Sequence, residues 1–144
     1  MPERPVREIL GRDTLVAGPP EMSVREAARR MAEQVCGSIL VLEGDRLLGI
    51  FTERDLLVRV IAAGRDPDRT ALAEVMTRAP DTIEAEAPIA EAIRRMDEFC
   101  YKHLPVVEGG RVIGVIAVED IPIAELVGMR EELEERHQLA ERMW

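Results

Sequence analysis

Long apolar runs are missing from this 144-residue sequence. No stretch approaches the roughly 18 apolar residues that a membrane-spanning helix needs, and the charged first residues are not followed by the apolar segment of a signal peptide. We therefore expect a cytoplasmic protein with no membrane contact. Cysteine and histidine are also scarce, with two of each: Cys36 and Cys100, His103 and His137. Their spacing fits no zinc site, so we expect no metal and two reduced, buried cysteines.

Basic residues are also few. The sequence has 19 lysines and arginines against 28 aspartates and glutamates, which gives a net charge of −9. This balance disfavours a DNA- or RNA-binding protein, which needs a broad basic surface. One small anionic ligand is still compatible, since a local pair of basic groups acts within a Debye length of about 8 Å. The sequence has no Ser-His-Asp or Cys-His arrangement and no glycine-rich P-loop, and we predict that the protein is not an enzyme.

What the sequence does contain is an internal repeat. The segment from Glu26 to Asp55 aligns without a gap with the segment from Glu91 to Asp120, at an offset of 65 residues. About a dozen of these thirty positions are identical, and about a third of the others exchange one aliphatic residue for another. Two copies are too few for a solenoid, so we expect two similar halves that pack on each other about a pseudo-twofold axis.

Each copy has the pattern helix, strand, strand, helix, which predicts a layered α/β (α+β) fold. In the first copy, Ser23 is a good N-cap for the first helix, and two strands follow around a turn at Gly44. Thr52 caps a second helix that runs to about Ala63 and ends at Gly64. The predicted strands are residues 38–42, 46–51, 103–107 and 111–118.

Apolar periodicity predicts which helical faces are buried. Pro88 is expected in the first turn of the second copy's first helix. Short helical turns over residues 6–10 and 72–76 introduce the two copies. The inward-facing residues are predicted to be Val24, Ala27, Ala28, Met31 and Val35 in the first copy, and Ile89, Ala92, Ile93 and Met96 in the second.

The tail from Ala124 to Trp144 is predicted to form a helix with a weak apolar stripe. Two interpretations stay open: a solvated terminal helix, or a helix that pairs across a homodimer. Arg136 and His137 fall where the stripe should continue, which argues against a long coiled coil. The stripe consists of Leu126, Met129, Leu133, Ala140 and Met143.

The segment from Gly49 to Asp55 carries the most informative chemistry. A strand ends and a helix begins here, and the unpaired amides and positive dipole of a helix start attract an anion such as phosphate. Thr52 can cap the helix and also donate to a phosphate oxygen, and Arg54 adds a charge-assisted donor. Asp55, one turn on, is an acceptor suited to the paired hydroxyls of a sugar, as in dinucleotide folds.

The same residues also have a purely structural interpretation, because Thr-x-x-Asp is a helix-capping pattern. In the second copy Asp120 holds the place of Asp55, whereas the capping position is Ala117. An acid kept without its capping partner favours a ligand role. Arg54 is replaced by Glu119, whose charge is wrong for phosphate. We therefore predict one good site in the first copy and a weak or empty site near Asp120.

A second constellation lies at the start of the second copy's first strand. Lys102 and His103 are either solvated at the rim of the sheet or face a ligand anion. Pro105 removes a backbone donor, so we expect a free strand edge near it, with backbone groups available to the edge of a base. The matching positions in the first copy are Gly37 and Ser38, which leave room rather than charge.

These segments resemble the cystathionine β-synthase (CBS) domain, and the tandem is similar to a CBS pair, also called a Bateman module. The resemblance rests on residues 49–60, the lead-in 75–77, the strand 102–107 and the run 114–120. It covers nearly the whole chain, roughly Val6 to Val127. The C-terminal helix is similar to the tail found on many small stand-alone members.

The resemblance implies an adenosyl ligand, typically AMP, ADP, ATP or S-adenosylmethionine, in a cleft between the repeats. In such pairs the aspartate of the Gly-x-x-Thr-x-x-Asp run holds ribose, and the hydroxyl residue meets phosphate. Basic residues ahead of the Leu-Pro strand reach phosphate, and the base lies among aliphatic residues and backbone of both repeats. The nucleotide-binding residues are thus expected to be Thr52, Arg54, Asp55, Ser38, Tyr101, Lys102, His103, Pro105 and Asp120.

We predict a first CBS repeat over residues 1–66, a second over 67–127 and a C-terminal helix over 128–144. Each repeat should be a small sheet with two packed helices. Such pairs usually form a homodimer through their helices, as a flat disc. The second helix of the first repeat is more apolar than one core face requires, which suits this contact. Its extra apolar residues are Leu57, Val58 and Ile61.

The function implied by the resemblance is regulatory. The pair is expected to sense adenine nucleotides as regulatory ligands, to require no cofactor, and to signal to an effector protein. Two alternatives stay open: a structural or scaffold dimer whose sites have decayed, or a module that binds S-adenosylmethionine or another adenosyl ligand. The scaffold alternative predicts a melting temperature that does not respond to nucleotides, which separates it from both binding modules.

Overall fold

The computed structural model describes residues 4–10 and 15–122, and six positions of the tail: 127, 128, 131, 134, 135 and 138. The described chain forms two sheets, one of four strands and one of three, with helices packed on each. The predicted fold class is confirmed, because each copy of the repeat is built on its own small sheet. No helix of the described residues is long and apolar enough to cross a membrane.

The first sheet is built on a hairpin that carries the site residues of the first repeat. Gly44 makes its turn with φ of +59°, a conformation that glycine adopts without strain. Ser38 pairs with Thr52 across the hairpin. The first strand runs parallel to the second, and the other pairs are antiparallel. In sheet order the strands are β1 (Ala17–Gly18), β2 (Ser38–Glu43), β3 (Arg46–Thr52) and β4 (Thr77–Arg78).

The second sheet repeats this plan at the same register. His103 pairs with Ala117, which is the pairing of Ser38 with Thr52 moved by 65 residues. The first strand is again parallel to the second, and the last two form an antiparallel hairpin. In sheet order the strands are β5 (Ile83–Glu84), β6 (His103–Glu108) and β7 (Arg111–Ala117).

The two long amphipathic helices, residues 24–34 and 89–99, cover the sheets. The predicted N-cap at Ser23 is confirmed, since its side chain accepts a hydrogen bond from the Glu26 N–H at 3.2 Å. Pro88 is also an N-cap, one position before its predicted place in the first turn. The helices are α1 (Val24–Gln34), α2 (Glu53–Asp55) continued by a π-helix (Leu56–Ile61), α3 (Leu72–Val75) and α4 (Ile89–Phe99), with 3-10 turns at Val6–Ile9 and Val118–Asp120.

The buried faces agree with the periodicity except at Val35. All four predicted residues of α4 are buried, as are Val24, Ala27 and Met31 of α1, while Ala28 is half-buried. The prediction for Val35 is wrong, because it is 92% exposed. Val35 lies after the last residue of α1 with φ of +53°, and this left-handed conformation turns it away from the apolar face.

The second helix of the first repeat departs from regular α geometry. From Leu56 to Ile61 it is a π-helix, and the Ala62 N–H bonds the Leu57 carbonyl at 2.8 Å, five residues back. Gly64 follows with φ of +73°, so the helix stops close to the predicted residue. A π-helical segment is rare and is frequently found at functional sites.

The short turns that precede each repeat pack in the core of the other one. Val6 is fully buried beside Ile83 and Ile89 of the second repeat, and its N–H bonds the Ala87 carbonyl at 2.8 Å. Leu72 is fully buried in the core of the first repeat. Each hydrophobic core therefore includes a short turn that precedes the other repeat in the sequence. The predicted boundary between residues 66 and 67 stays a prediction.

Two further predictions concern the tail and the cysteines. The six described tail positions are helical and exposed, and the predicted apolar stripe lies outside the described residues. Both cysteines are free, but the prediction that they are buried is wrong, because Cys100 is exposed and Cys36 is only half-buried. Cys100 has φ of +58° at the C-terminal cap of α4, where the chain turns outward.

Candidate functional site

A cleft of about 530 Å³ lies between the two repeats. One wall is the junction of β3 and α2 in the first repeat, and a second wall is the segment that leads from α4 into β6. Residues 77–81, in and after β4, form the third wall. The cleft brings together six of the nine predicted binding residues: Thr52, Arg54, Asp55, Tyr101, Lys102 and His103.

The carboxylate of Asp55 is fixed at the start of α2. Its Oδ2 accepts hydrogen bonds from the Thr52 N–H at 2.9 Å and from the Thr52 hydroxyl at 3.1 Å, and that hydroxyl accepts the Asp55 N–H at 3.3 Å. The nearest cation to Oδ1 in the described chain is Arg59, whose Nε lies 3.5 Å away. The Asp55 side chain is 13% exposed. Oδ1 therefore keeps lone pairs for a sugar hydroxyl, on a carboxylate that cannot swing away.

The structure corrects the argument made from Asp120. Its Oδ2 accepts the Ala117 N–H at 2.8 Å, so the acid contributes to the cap of its turn without a hydroxyl partner. Its presence therefore does not by itself favour a ligand role. Asp120 is not part of the cleft wall, and it lies close enough to Cys36 to raise the pKa of that thiol, although burial raises it more. A weak or empty site at Asp120 stays a prediction.

Three basic side chains line the cleft: Arg54, Arg78 and Lys102. Arg54 and Lys102 come from opposite repeats, and Arg78 comes from β4. A protein of net charge −9 thus has a local group of cations in this cleft, which is compatible with one small anionic ligand. Such a group favours a small anion over the extended backbone of a nucleic acid.

His103 lies on the cleft wall at the contact between the repeats. Its Nε2 is buried and has no hydrogen-bond partner in the described part of the chain. A Cβ atom on Gly37 would lie 3.0 Å from this Nε2 and 2.5 Å from Oε1 of Glu53. Burial lowers the pKa of His103, and nearby carboxylates, with Glu119 first, oppose that effect. The missing side chain at Gly37 is what allows groups from both repeats to meet here.

Ser38 and Pro105 line no part of the cleft, and both are buried within their strands. The predicted free edge near Pro105 agrees with the register, since β5 pairs only with Val106 and Val107. Among the described residues, the start of β6 therefore has a neighbouring strand on the β7 side alone. Backbone groups of this short stretch face the open side.

The third wall of the cleft, residues 77–81, was not predicted from the sequence, and neither were the lining residues Glu53 and Cys100. The Tyr101 hydroxyl donates to Asp81 Oδ2 at 2.8 Å, which raises the pKa of Tyr101 and closes one end of this wall. The charged residues Arg78 and Asp81, which come shortly after the buried residues of α3, are the only sequence feature that could have indicated this wall. They do not predict it by themselves, because nothing along the chain places this segment beside α2.

The family follows from a match to the whole repeat. The family model of the CBS domain matches residues 6–62 and again residues 72–122. The chain belongs to the CBS domain family. Both matches together include the two hairpins and the residues of all three cleft walls, so the cleft lies between two CBS repeats.

Two relatives place this CBS pair among proteins of different length. An uncharacterized protein of Methanopyrus kandleri is 34% identical over 118 residues, which are 81% of this chain and 60% of that protein. A CBS domain-containing protein of Arabidopsis thaliana is 39% identical over 101 residues, 69% of this chain and 18% of that protein. The chain therefore spans less than two thirds of the length of these relatives.

Solved structures share the fold of the CBS pair. A protein with CBS domains from Burkholderia ambifaria has a TM-score of 0.75 at 33% identity, covering 81% of this chain and 90% of that one. A CBS domain protein of Pyrobaculum aerophilum, complexed with AMP, has a TM-score of 0.79 at 24% identity, with coverages of 89% and 99%. A hexameric CBS-CP12 protein from bloom-forming cyanobacteria has a TM-score of 0.75 at 26% identity, with coverages of 83% and 70%.

Proposed function

We propose that this CBS pair is a regulatory module that binds an adenine nucleotide in the cleft between its repeats. The observation that supports this most is that Asp55 of the first repeat and Lys102 of the second repeat line one cleft. Its volume of about 530 Å³ falls in the range of small-molecule sites. The Pyrobaculum aerophilum structure has this fold with AMP bound, and we extend that ligand class to this chain.

In this proposal Asp55 holds the ribose and the cations hold the phosphate. Oδ1 of Asp55 accepts a ribose hydroxyl, while Oδ2 stays bonded to Thr52. Arg54 of the first repeat and Lys102 of the second donate to phosphate oxygens. The Thr52 hydroxyl donates to Asp55 in the structure, so it serves a phosphate only by giving up that bond.

The output of the module is proposed to pass through an apolar helical surface. Leu57, Val58 and Ile61 are 63%, 52% and 57% exposed on the π-helix that continues from the cleft residue Asp55. We propose that this surface forms a homodimer, and that nucleotide binding at Asp55 changes how the dimer presents itself to an effector protein. The π-helix connects the cleft to the apolar surface, because it starts at the residue after Asp55.

Isothermal titration with AMP, ADP, ATP and S-adenosylmethionine tests the proposal. We expect at least one of these ligands to bind, and Asp55→Ala to weaken it. A ligand at 100 times its dissociation constant should also add about 2.7 kcal/mol to the free energy of unfolding. If none of the four binds and none changes the melting temperature, the scaffold alternative replaces this proposal.

A further inference from the structure

We propose that His103 couples nucleotide binding in the cleft to the uptake of a proton, so that acidification strengthens binding. The inference rests on the proposed function, because it concerns the same cleft, and it adds regulation of that cleft by pH. It starts from the buried Nε2 atom of His103, which has no hydrogen-bond partner in the described part of the chain. A buried polar atom without a hydrogen bond is costly, so a bound state of the cleft that supplies a partner for it is favoured.

The position of Nε2 defines what can satisfy it. His103 is the first residue of β6 and lines the cleft. Gly37 and Glu53 approach it from the first repeat, and the Glu53 N–H bonds the Gly37 carbonyl at 3.0 Å, which holds these two residues together. The imidazole therefore lies within the contact between the repeats and beside the space that a ligand would fill.

The equivalent position at the other end of the pseudo-symmetry has the same backbone hydrogen bond, but it lacks the pair of titratable side chains, His103 and Glu53. The Val118 N–H bonds the Lys102 carbonyl at 3.0 Å, just as the Glu53 N–H bonds that of Gly37. Val118 takes the place of Glu53 there, and Ser38 takes the place of His103. The fold thus does not require an imidazole and a carboxylate at this junction, which are present on one side only.

The charges around His103 determine its state in the empty cleft. Burial lowers its pKa most, and Lys102 lowers it further. Glu119 and Asp120 from the turn after β7, and Glu53 from α2, raise it. Burial prevails, so the imidazole is neutral at neutral pH and the carboxylates alone do not hold a proton on it.

An anionic ligand supplies the missing stabilisation. A phosphate group in the cleft adds negative charge near Nε2, and the imidazolium can donate to it or to Glu53. By linkage, a ligand that prefers the protonated protein binds more tightly as the pH falls. The phosphate itself loses charge near its second pKa of about 6, which weakens binding on acidification. The two effects have opposite signs, so the direction of the pH dependence identifies which one acts.

The test is the dissociation constant of AMP between about pH 5 and 8, the range in which histidine titrates. We expect the wild-type protein to bind AMP on the order of tenfold more tightly at the acidic end, which corresponds to one unit of differential pKa. His103→Gln should bind AMP without this gain, because glutamine cannot take up the proton. His137→Gln removes the other imidazole of the chain and should keep the wild-type profile.

The outcomes separate this inference from the proposed function. If wild type and His103→Gln both bind AMP with the same pH profile, the proton coupling is wrong and the nucleotide site stands. If wild type binds AMP at no pH, the nucleotide site itself is wrong for AMP and the coupling falls with it. Should His103→Gln fold poorly, NMR titration of the imidazoles decides the matter. Saturating AMP must raise the pKa of His103, which is the imidazole that remains in His137→Gln, and an unchanged His103 pKa refutes the coupling.

Discussion

The carboxylate of Asp55 accepts hydrogen bonds from both the backbone N–H and the hydroxyl of Thr52, at 2.9 Å and 3.1 Å. Asp120 makes the first of these bonds with Ala117, at 2.8 Å, at the equivalent position of the second repeat. The two carboxylates therefore stabilise equivalent chain turns, while Asp55 alone lines the cleft. Comparing substitutions of Asp55 and Asp120 therefore distinguishes the effect of losing a cap from the effect of losing a ligand contact.

This pair gives the first prediction. Asp55→Ala and Asp120→Ala should each lower the free energy of unfolding by about 1 kcal/mol, since each removes an acceptor at a helix start. Asp55→Ala should also weaken AMP binding at least tenfold, because a hydrogen bond to a charged group contributes about 1.5–3 kcal/mol. Urea denaturation and isothermal titration measure the two effects. Equal losses of affinity in both variants would leave Asp55 with the structural role alone.

A second prediction concerns backbone strain at Val35. This β-branched residue has φ of +53° and a side chain that is 92% exposed, so strain has no packing to offset it. Val35→Asn should raise the free energy of unfolding by about 1 kcal/mol, because asparagine adopts the left-handed conformation more readily. Val35→Thr is the control, since it changes polarity and keeps the branch. A gain with threonine as large as with asparagine would attribute the effect to polarity.

The third prediction concerns the N-terminal turn, whose residue Val6 packs in the core of the second repeat. Val6→Ala removes two methyl groups from a fully buried site and should destabilise the protein by about 2 kcal/mol. Hydrogen exchange should report the loss in α4 and β6, although Val6 precedes the first repeat in the chain. Val127→Ala, at an exposed position, should change little. Faster exchange confined to β2 and β3 would contradict this packing.

The fourth prediction is the pH dependence of the ligand-free protein. Burial lowers the pKa of His103 below its usual 6.5, so the unfolded chain binds the proton more readily than the folded one. The stability that neutral His103 contributes is therefore present above about pH 6.5 and is lost as the pH falls through its lower folded-state pKa. Urea midpoints should decrease on acidification more in wild type than in His103→Gln. Parallel curves for the two proteins would refute this.

The fifth prediction concerns the apolar helical surface of Leu57, Val58 and Ile61. A charge at Ile61 would be buried without a partner if this surface forms a homodimer, which is costly. Ile61→Glu should therefore reduce the molar mass measured by light scattering to that of one chain. Val35→Glu places the same charge on a different exposed apolar residue and should leave the mass unchanged. If both variants keep the wild-type mass, this surface is not the interface.

The sequence predicted the elements of the site well because they depend on local interactions. The strand ending at Thr52 and the cap formed with Asp55 follow from residues three apart. The repeat itself predicted that a second hairpin begins at His103. The exceptions were also local but unusual, since Val35 and Cys100 adopt a left-handed conformation that glycine or asparagine ordinarily occupies.

The composition of the cleft was decided by tertiary structure. No spacing along the chain places Arg78 beside Arg54, or sends Val6 into the core of the second repeat. These contacts join residues far apart in sequence, and their positions depend on how two hydrophobic cores close against each other. The sequence by itself determined two equivalent hairpins with unequal residues at their ends. Only the packing of the repeats turned one pair of ends into a cleft, and left His103 buried against Gly37 without a hydrogen-bond partner in the described chain.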